Sequence, residues 1–410
     1  MTVTGATGPV DSGPVDSFET GPVGIDPFGF DAVELDWLRA KSGAKWHQHP
    51  DRLNAWVADM DFRPATVILD ALRDRIDRAD LGYADWGYPR PQSPACGAFA
   101  ERAAARYLWR IDPAEVRDFC DVVQAVQVTL HLATAPGDGV VLHTPSYPPL
   151  WKSLRDMGRR QVDVPARVDA AGVHFDYDEL ERRLAAEPAK VLLLCHPHNP
   201  TGHRFAVDEL VRLVAIAERF DLLIISDEIH ADLTYDSTHV PIASIAGAAD
   251  RTVSVHSASK AFNLAGMRHA VAHIGPERLR AALLDLPDHL LGAINLMAAE
   301  ATVAAWQHGD AWLDAVLVHL DRSRVLFAEL VTEQLPLVNH RLPAATYLAW
   351  LDCRAMGLGD EPVRAFRRAG VELSDGNDFG PLGAGHVRVN LATSRSILER
   401  IVAQMATAVP

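Results

Sequence analysis

Three polar clusters in this chain hold residue types that can do chemistry at short spacing. Ser257-Ala-Ser-Lys260 sets two hydroxyls beside a cation, and Arg268 follows eight residues after the lysine. That combination suits a phosphate; a solvated lysine is the plainer alternative. Asp227-Glu-Ile-His230 offers a carboxylate with an imidazole three residues on, or merely the cap of a helix. His196-Pro-His-Asn-Pro-Thr-Gly202 must turn, because Asn-Pro and Gly break regular structure, and is either a ligand loop or a surface loop. Amines are scarce. Only Lys41, Lys45, Lys152, Lys190 and Lys260 carry one, so chemistry that needs an amine able to lose its proton has few candidates. The His47-Gln-His49 and His196/His198 pairs lack companions at ligand spacing, so no metal site is assigned.

Each cluster directly follows an apolar, β-rich run. Residues 140–143, Val191–Cys195, 222–226, Thr252–His256 and Ala270–Ile274 read as strands. Stretches such as 208–219, with Asp208 as N-cap, read as helices between them. Near-continuous apolar strands alternating with helices predict an α/β fold, its mostly parallel sheet covered on both faces. Ligands of such sheets bind beyond the carboxyl ends of the strands, where all three clusters fall. Two long helices, about 293–308 and 310–334, lead into a short α+β region. The expected organisation is a large domain over 66–292 and a small C-terminal domain over 293–410, joined by an N-terminal segment over 26–65. Residues 1–25 repeat Gly-Pro-Val-Asp-Ser and are expected to be a disordered tail.

Composition narrows the partners. A formal net charge of −15, with dispersed lysine and arginine, argues against nucleic acid and anionic membranes. The longest apolar runs are strand-length and cannot span a bilayer. Cys96, Cys120, Cys195 and Cys353 show no CxxC spacing, which suits reduced thiols in a cytoplasmic protein.

Taken together, in the order Asn, Asp, Ser-x-x-Lys, the clusters resemble those of the fold-type I enzymes that use pyridoxal 5′-phosphate. The resemblance implies an aspartate-aminotransferase-like fold. Five phrases resemble one branch more closely, the MalY/PatB family of cystathionine β-lyase-like C–S lyases: Trp56-Val-Ala-Asp-Met-Asp-Phe62, Pro197-His-Asn-Pro-Thr-Gly202, Asp227-Glu-Ile-His-Ala-Asp-Leu233, Ser259-Lys-Ala-Phe-Asn263 and Tyr347-Leu-Ala-Trp-Leu-Asp352. The likeness runs over roughly residues 26–405. It implies that Lys260 holds the cofactor as a Schiff base and moves the substrate's Cα proton. Asp227 would pair with the pyridinium nitrogen, Asn199 and His230 would reach the ring's 3′-oxygen, and Tyr147 would stack on the ring. Ser257, Ser259, Arg268 and the backbone amides of Val122 and Val123 would hold the phosphate. Tyr83 would reach across a homodimer to the neighbour's phosphate. Arg388 would fork onto the substrate α-carboxylate; alternation in His386-Val-Arg-Val-Asn-Leu391 separates it and Asn390 from Val387, Val389 and Leu391.

The implied reaction is β-elimination of an S-substituted L-cysteine to a thiol, pyruvate and ammonia. Its rivals are transamination on the same machinery, a sulfur-antibiotic reaction on a bulky S-glycosyl or other cysteine conjugate, by C–S cleavage or decarboxylative oxidative deamination, and a regulatory role through a protein partner. Three positions depart from the family pattern. Asp121 stands where these lyases usually carry glycine, Arg268 is more typical of aminotransferases, and His196 replaces a commoner asparagine. A carboxylate beside a phosphate is unfavourable, and Arg268 is expected to offset it.

Overall fold

The computed structural model describes residues 26–87, 92–169, 172–287 and 289–408; the tail expected over 1–25 lies outside them. An eight-stranded sheet carries the polar clusters. Its strands in chain order are β1 Val116–Phe119, β2 Gly139–Thr144, β3 Arg160–Asp169, β4 Gly172–Phe175, β5 Val191–Cys195, β6 Leu223–Asp227, β7 Thr252–His256 and β8 Ala270–Ile274. Their order in space is β1-β8-β7-β6-β5-β2-β3-β4. The run from β3 through β7 is parallel. β8 is antiparallel to both β7 and β1, and β4 is antiparallel to β3.

The central strands are buried along their whole length, which is why β5 reads as unbroken apolar text and β2 and β6 nearly so; β7 alternates valine with buried Thr252, Ser254 and His256. Alternation divides them between two cores. Leu193, Ile225 and Val255 pack on one face with Val122, Ala125 and Val126 of helix α1, Val122–Ala133. Leu192, Leu194 and Ile224 pack on the other with Leu210, Leu213 and Ala217 of helix α2, Val207–Arg219. The expected cap of α2 is corrected: Ala206 holds the N-cap position and its N–H donates to the Glu209 carboxylate at 2.9 Å. Asp208 lies inside the first turn, where it favours the helix dipole instead.

Helix α3, Leu296–His308, starts three residues later than expected because Asn295 accepts the N–H groups of Met297 and Ala298. Helix α4, Asp310–Gln334, joins two cores: Trp312 and Val316 lie in one with Phe99 and Phe262, Phe327 and Val331 in another. That second core sits on a four-stranded antiparallel sheet of β9 Asn339–His340, β10 Leu348–Asp352, β11 Ser374–Asp375 and β12 His386–Asn390, ordered β9-β10-β12-β11. Leu35, Leu38, Trp46 and Leu53 pack into it, and Leu53–Asn54 pairs in parallel with Val371–Glu372. Among the described residues no helix is long and apolar enough to cross a membrane, and no His, Cys, Asp and Glu group could hold a metal ion.

Candidate active site

Strand register brings the clusters together. β5 and β6 are aligned so that Cys195 pairs with Asp227, and Asp227 in turn pairs with Val255 of β7. The loops that leave these strands surround an open cavity. Of the twelve candidate residues, ten line it: Lys260, Asp227, Asn199, His230, Tyr147, Ser257, Ser259, Arg268, Val122 and Val123. Arg388 stands one hydrogen bond behind, its Nη1 donating to Asn199 Oδ1 at 2.9 Å. Tyr83 is fully exposed and lines no part of its own chain's cavity.

An amine and a buried carboxylate, Lys260 and Asp227, line the same cavity. Lys260 Nζ donates to the Ala58 carbonyl at 2.7 Å and lies 3.9 Å from Asp59 Oδ1. Burial pushes this amine below the ordinary lysine value; Asp59 opposes the shift and Arg388 adds to it. Burial raises Asp227 to about 7, Glu228 adds to the rise, and the Ile229 N–H, donating to Oδ1 at 3.1 Å, restrains it. His230 is driven down to about 3 by burial with the Lys260 and Arg388 charges, so its ring is neutral. Its Nδ1 is buried and has no partner among the described residues.

One end of the cavity is built for an anion. α1 begins at Val122, so the N–H groups of Val122 and Val123 have no acceptor within the helix. Ser257 Oγ donates to the His269 carbonyl at 2.6 Å, and the Ser259 N–H donates to Ser257 Oγ at 3.1 Å. The departure at Asp121 has a structural account. One oxygen caps α1 by accepting the Gln124 N–H at 2.8 Å, and the other pairs with Arg268. Arg268 sits at φ +57°, a left-handed conformation uncommon outside glycine, asparagine and aspartate.

Behind Asn199 lies a buried guanidinium. Arg388 Nη2 donates to the Trp56 carbonyl at 3.0 Å and to Ser374 Oγ at 3.1 Å, and the group lies 4.9 Å from the Phe379 ring centroid. Burial lowers it to about 10, which leaves it cationic at neutral pH. The arrangement offers an amine that can add to a carbonyl, a buried carboxylate that can pair with a cation, a helix N-terminus with hydroxyls and an arginine that suit an anion, and a guanidinium behind Asn199.

Sequence reasoning passed over the Ala58 carbonyl, Asp59, Cys195, His269 and the Tyr347 hydroxyl, which donates to the Ala58 carbonyl at 2.8 Å. Ala58, Asp59 and Tyr347 lie inside phrases that carry the family resemblance, but a carbonyl's direction leaves no mark in residue type.

Comparison with known proteins agrees with this geometry. Residues 96–405 match the family described as aminotransferase class I and II. The chain is 36% identical over 409 residues to a putative cystathionine β-lyase of Mycobacterium tuberculosis, covering 93% of this chain and 98% of that one. It is 33% identical over 366 residues to cystathionine β-lyase PatB of Bacillus subtilis, covering 87% and 93%. A solved PLP-bound C-S lyase from Staphylococcus hominis superposes with a TM-score of 0.85 at 26% identity, over 93% of this chain and 98% of that one. On the extent of these matches, this chain belongs to the aminotransferase class I and II family.

Proposed function

We propose that this chain is a pyridoxal 5′-phosphate-dependent C–S β-lyase that converts an S-substituted L-cysteine and water to a thiol, pyruvate and ammonia. The observation that carries the reading is one cavity lined by the Lys260 amine, the buried Asp227 carboxylate and the Val122, Val123, Ser257, Ser259 and Arg268 groups, with the Arg388 guanidinium one hydrogen bond away through Asn199. Relatives named for cystathionine and C–S cleavage support the choice of reaction.

The residues present fit the cofactor. The α1 amides, Ser257, Ser259 and Arg268 would hold its phosphate, and Asp227 its ring nitrogen. Asn199 spends Oδ1 on Arg388, which leaves its amide N–H groups for the ring oxygen; His230, whose buried Nδ1 has no partner among the described residues, would reach the same oxygen. Tyr147, which also lines the cavity, would cover the ring. Bound cofactor supplies an aldehyde that takes up the substrate amine and a ring that draws off the charge left at Cα. The chain does the rest. Arg388 and Asn199 would hold the α-carboxylate and so aim the Cα–H bond at Lys260, which moves the proton. Tyr83, exposed in its own chain, would complete the phosphate cup of a second copy in a homodimer.

The test is product identification by mass spectrometry, with cystathionine, cysteine and a bulky S-glycosyl cysteine offered to the loaded protein. Pyruvate with free thiol is expected. A sulfur-retaining keto acid with aminated cofactor would establish transamination and overturn the reading. Borohydride reduction and peptide mapping should place the cofactor on residue 260.

A further inference from the structure

The Trp56-Val-Ala-Asp-Met-Asp-Phe62 segment supplies no group to the reading above, yet its main chain meets both functional cations. Asn390 Nδ2 donates to the carbonyls of Val57 and Asp59 at 2.6 and 2.7 Å. Asn263 Nδ2 donates to those of Met60 and Phe62 at 2.9 and 2.8 Å. With Trp56 tied to Arg388 and Ser374, the segment is fixed on both sides of Ala58. The Ala58 carbonyl, which accepts from Lys260 and Tyr347, therefore has a set direction.

Two acidic side chains follow it, and their fates differ. Asp61 is buried and occupied by Lys45 Nζ at 2.9 Å and Trp46 Nε1 at 2.6 Å. Asp59 keeps 37% of its side chain exposed and turns Oδ1 toward Lys260 Nζ, 3.9 Å away. The charges facing that amine are Asp59 and Asp227 on the acidic side, Arg388 and Arg268 on the basic side, with His230 neutral. An amine that accepts a proton here becomes an ammonium in a buried site with two guanidinium groups. A carboxylate already in place stabilises that charge as it develops, at no cost of reorganisation.

We propose that Asp59 is a positioning residue for Lys260: with the Ala58 carbonyl it receives the free amine and stabilises the positive charge gained when the substrate's Cα proton arrives. The proton passes from Cα to Nζ and the C–H electron pair stays with the substrate. The proposal rests on Lys260 as proton carrier and is indifferent to which bond breaks next.

Five lysines make the test direct. Reductive ¹³C-methylation of the cofactor-free protein gives few ε-methyl resonances, and Lys260→Arg identifies the one sought. In Asp59→Asn that resonance should titrate at lower pH by about one unit, and Asp59→Glu should restore most of the difference. In the loaded protein kcat should fall about tenfold, matching one pKa unit. KM should stay nearly constant and the isotope effect of Cα-deuterated substrate should rise. An unchanged titration in Asp59→Asn, or equal losses in the Asn and Glu variants, overturns the proposal while leaving the proposed function intact. Turnover that survives Lys260→Ala overturns Lys260 as proton carrier, and both readings with it.

Discussion

Asp121 gives the sharpest test of the phosphate cup. Its carboxylate caps α1 and pairs with Arg268, whose side chain is 66% exposed against 21% for Asp121. So exposed a pair stabilises the protein by roughly 0–1 kcal/mol, so Arg268 can leave it cheaply for a phosphate. An arginine hydrogen bond to that phosphate contributes about 1.5–3 kcal/mol. The Asp121 charge works against the same phosphate by about 1–2 kcal/mol in a partly solvated site. Asp121→Asn separates these effects, because asparagine caps a helix about as well as aspartate. The cofactor dissociation constant should fall about fivefold, an affinity gain of roughly 1 kcal/mol. Arg268→Ala should weaken binding at least tenfold, and adding Asp121→Asn should recover much of that loss. Fluorescence titration at fixed ionic strength measures each constant, since salt screens the pair. Pyridoxal without its phosphate should bind parent and Asp121→Asn equally. If Asp121→Asn binds the phosphorylated cofactor no more tightly, or fails to relieve Arg268→Ala, electrostatic compensation is refuted.

Three further outcomes follow from the same structure. Asp227 titrates near 7 when folded, above its ordinary value of 3.8, so the folded chain holds a proton that the unfolded chain has released. Its stability contribution is complete below about pH 4 and is lost as pH rises through about 7; thermal melts of cofactor-free Asp227→Asn should lack this component. Arg388→Lys keeps a charge but not the planar fork, so KM for the amino acid should rise by roughly ten- to a hundredfold while cofactor affinity holds; steady-state kinetics and titration distinguish the two. Gly202 has φ +67°, and a Cβ there would lie 2.4 Å from that of Pro343. Gly202→Ala should cost about 1–3 kcal/mol in denaturant melts and loosen cofactor binding by shifting the Asn199 turn.

What could be read from the sequence follows burial. β5 and most of β6 are apolar on both faces and β7 alternates valine with small or polar residues, so all three announce themselves, as do the side chains at their carboxyl ends. β1, β3 and β4 went unassigned. Arg117 and Asp118 in β1, and Arg160, Gln161, Asp163 and Arg167 in β3, interrupt the apolar text, and β4 and β1 are the sheet's two outer strands, half exposed to solvent. The α2 cap misled for a related reason. Asp208 has the residue type of a cap, but Glu209, one position on, reaches back to the Ala206 N–H. Asp121 shows the converse: its residue type warned of a conflict, and only the structure shows one oxygen spent on the helix and the other on Arg268.

The groups proposed for phosphate and for carboxylate belong to different sheets. Within this chain the former come from the start of α1 and the segments around β7 and β8 of the eight-stranded sheet, whereas Arg388 comes from β12 of the smaller one. A guanidinium has five N–H donors, and Asn199, Trp56 and Ser374 occupy three of them. Nε is among the remainder, buried and without a partner among the described residues. Under the proposed function these unspent donors are what Arg388 would offer a substrate carboxylate while its present contacts hold it in place. Those same contacts reach the 196–202 turn through Asn199 and the Lys260 neighbourhood through Trp56 and Ala58. Under the proposed function, substrate bound at Arg388 would thus be referred to the amine by one hydrogen-bonded frame. Alignment at Cα would then depend on main-chain carbonyls as much as on the charged side chains.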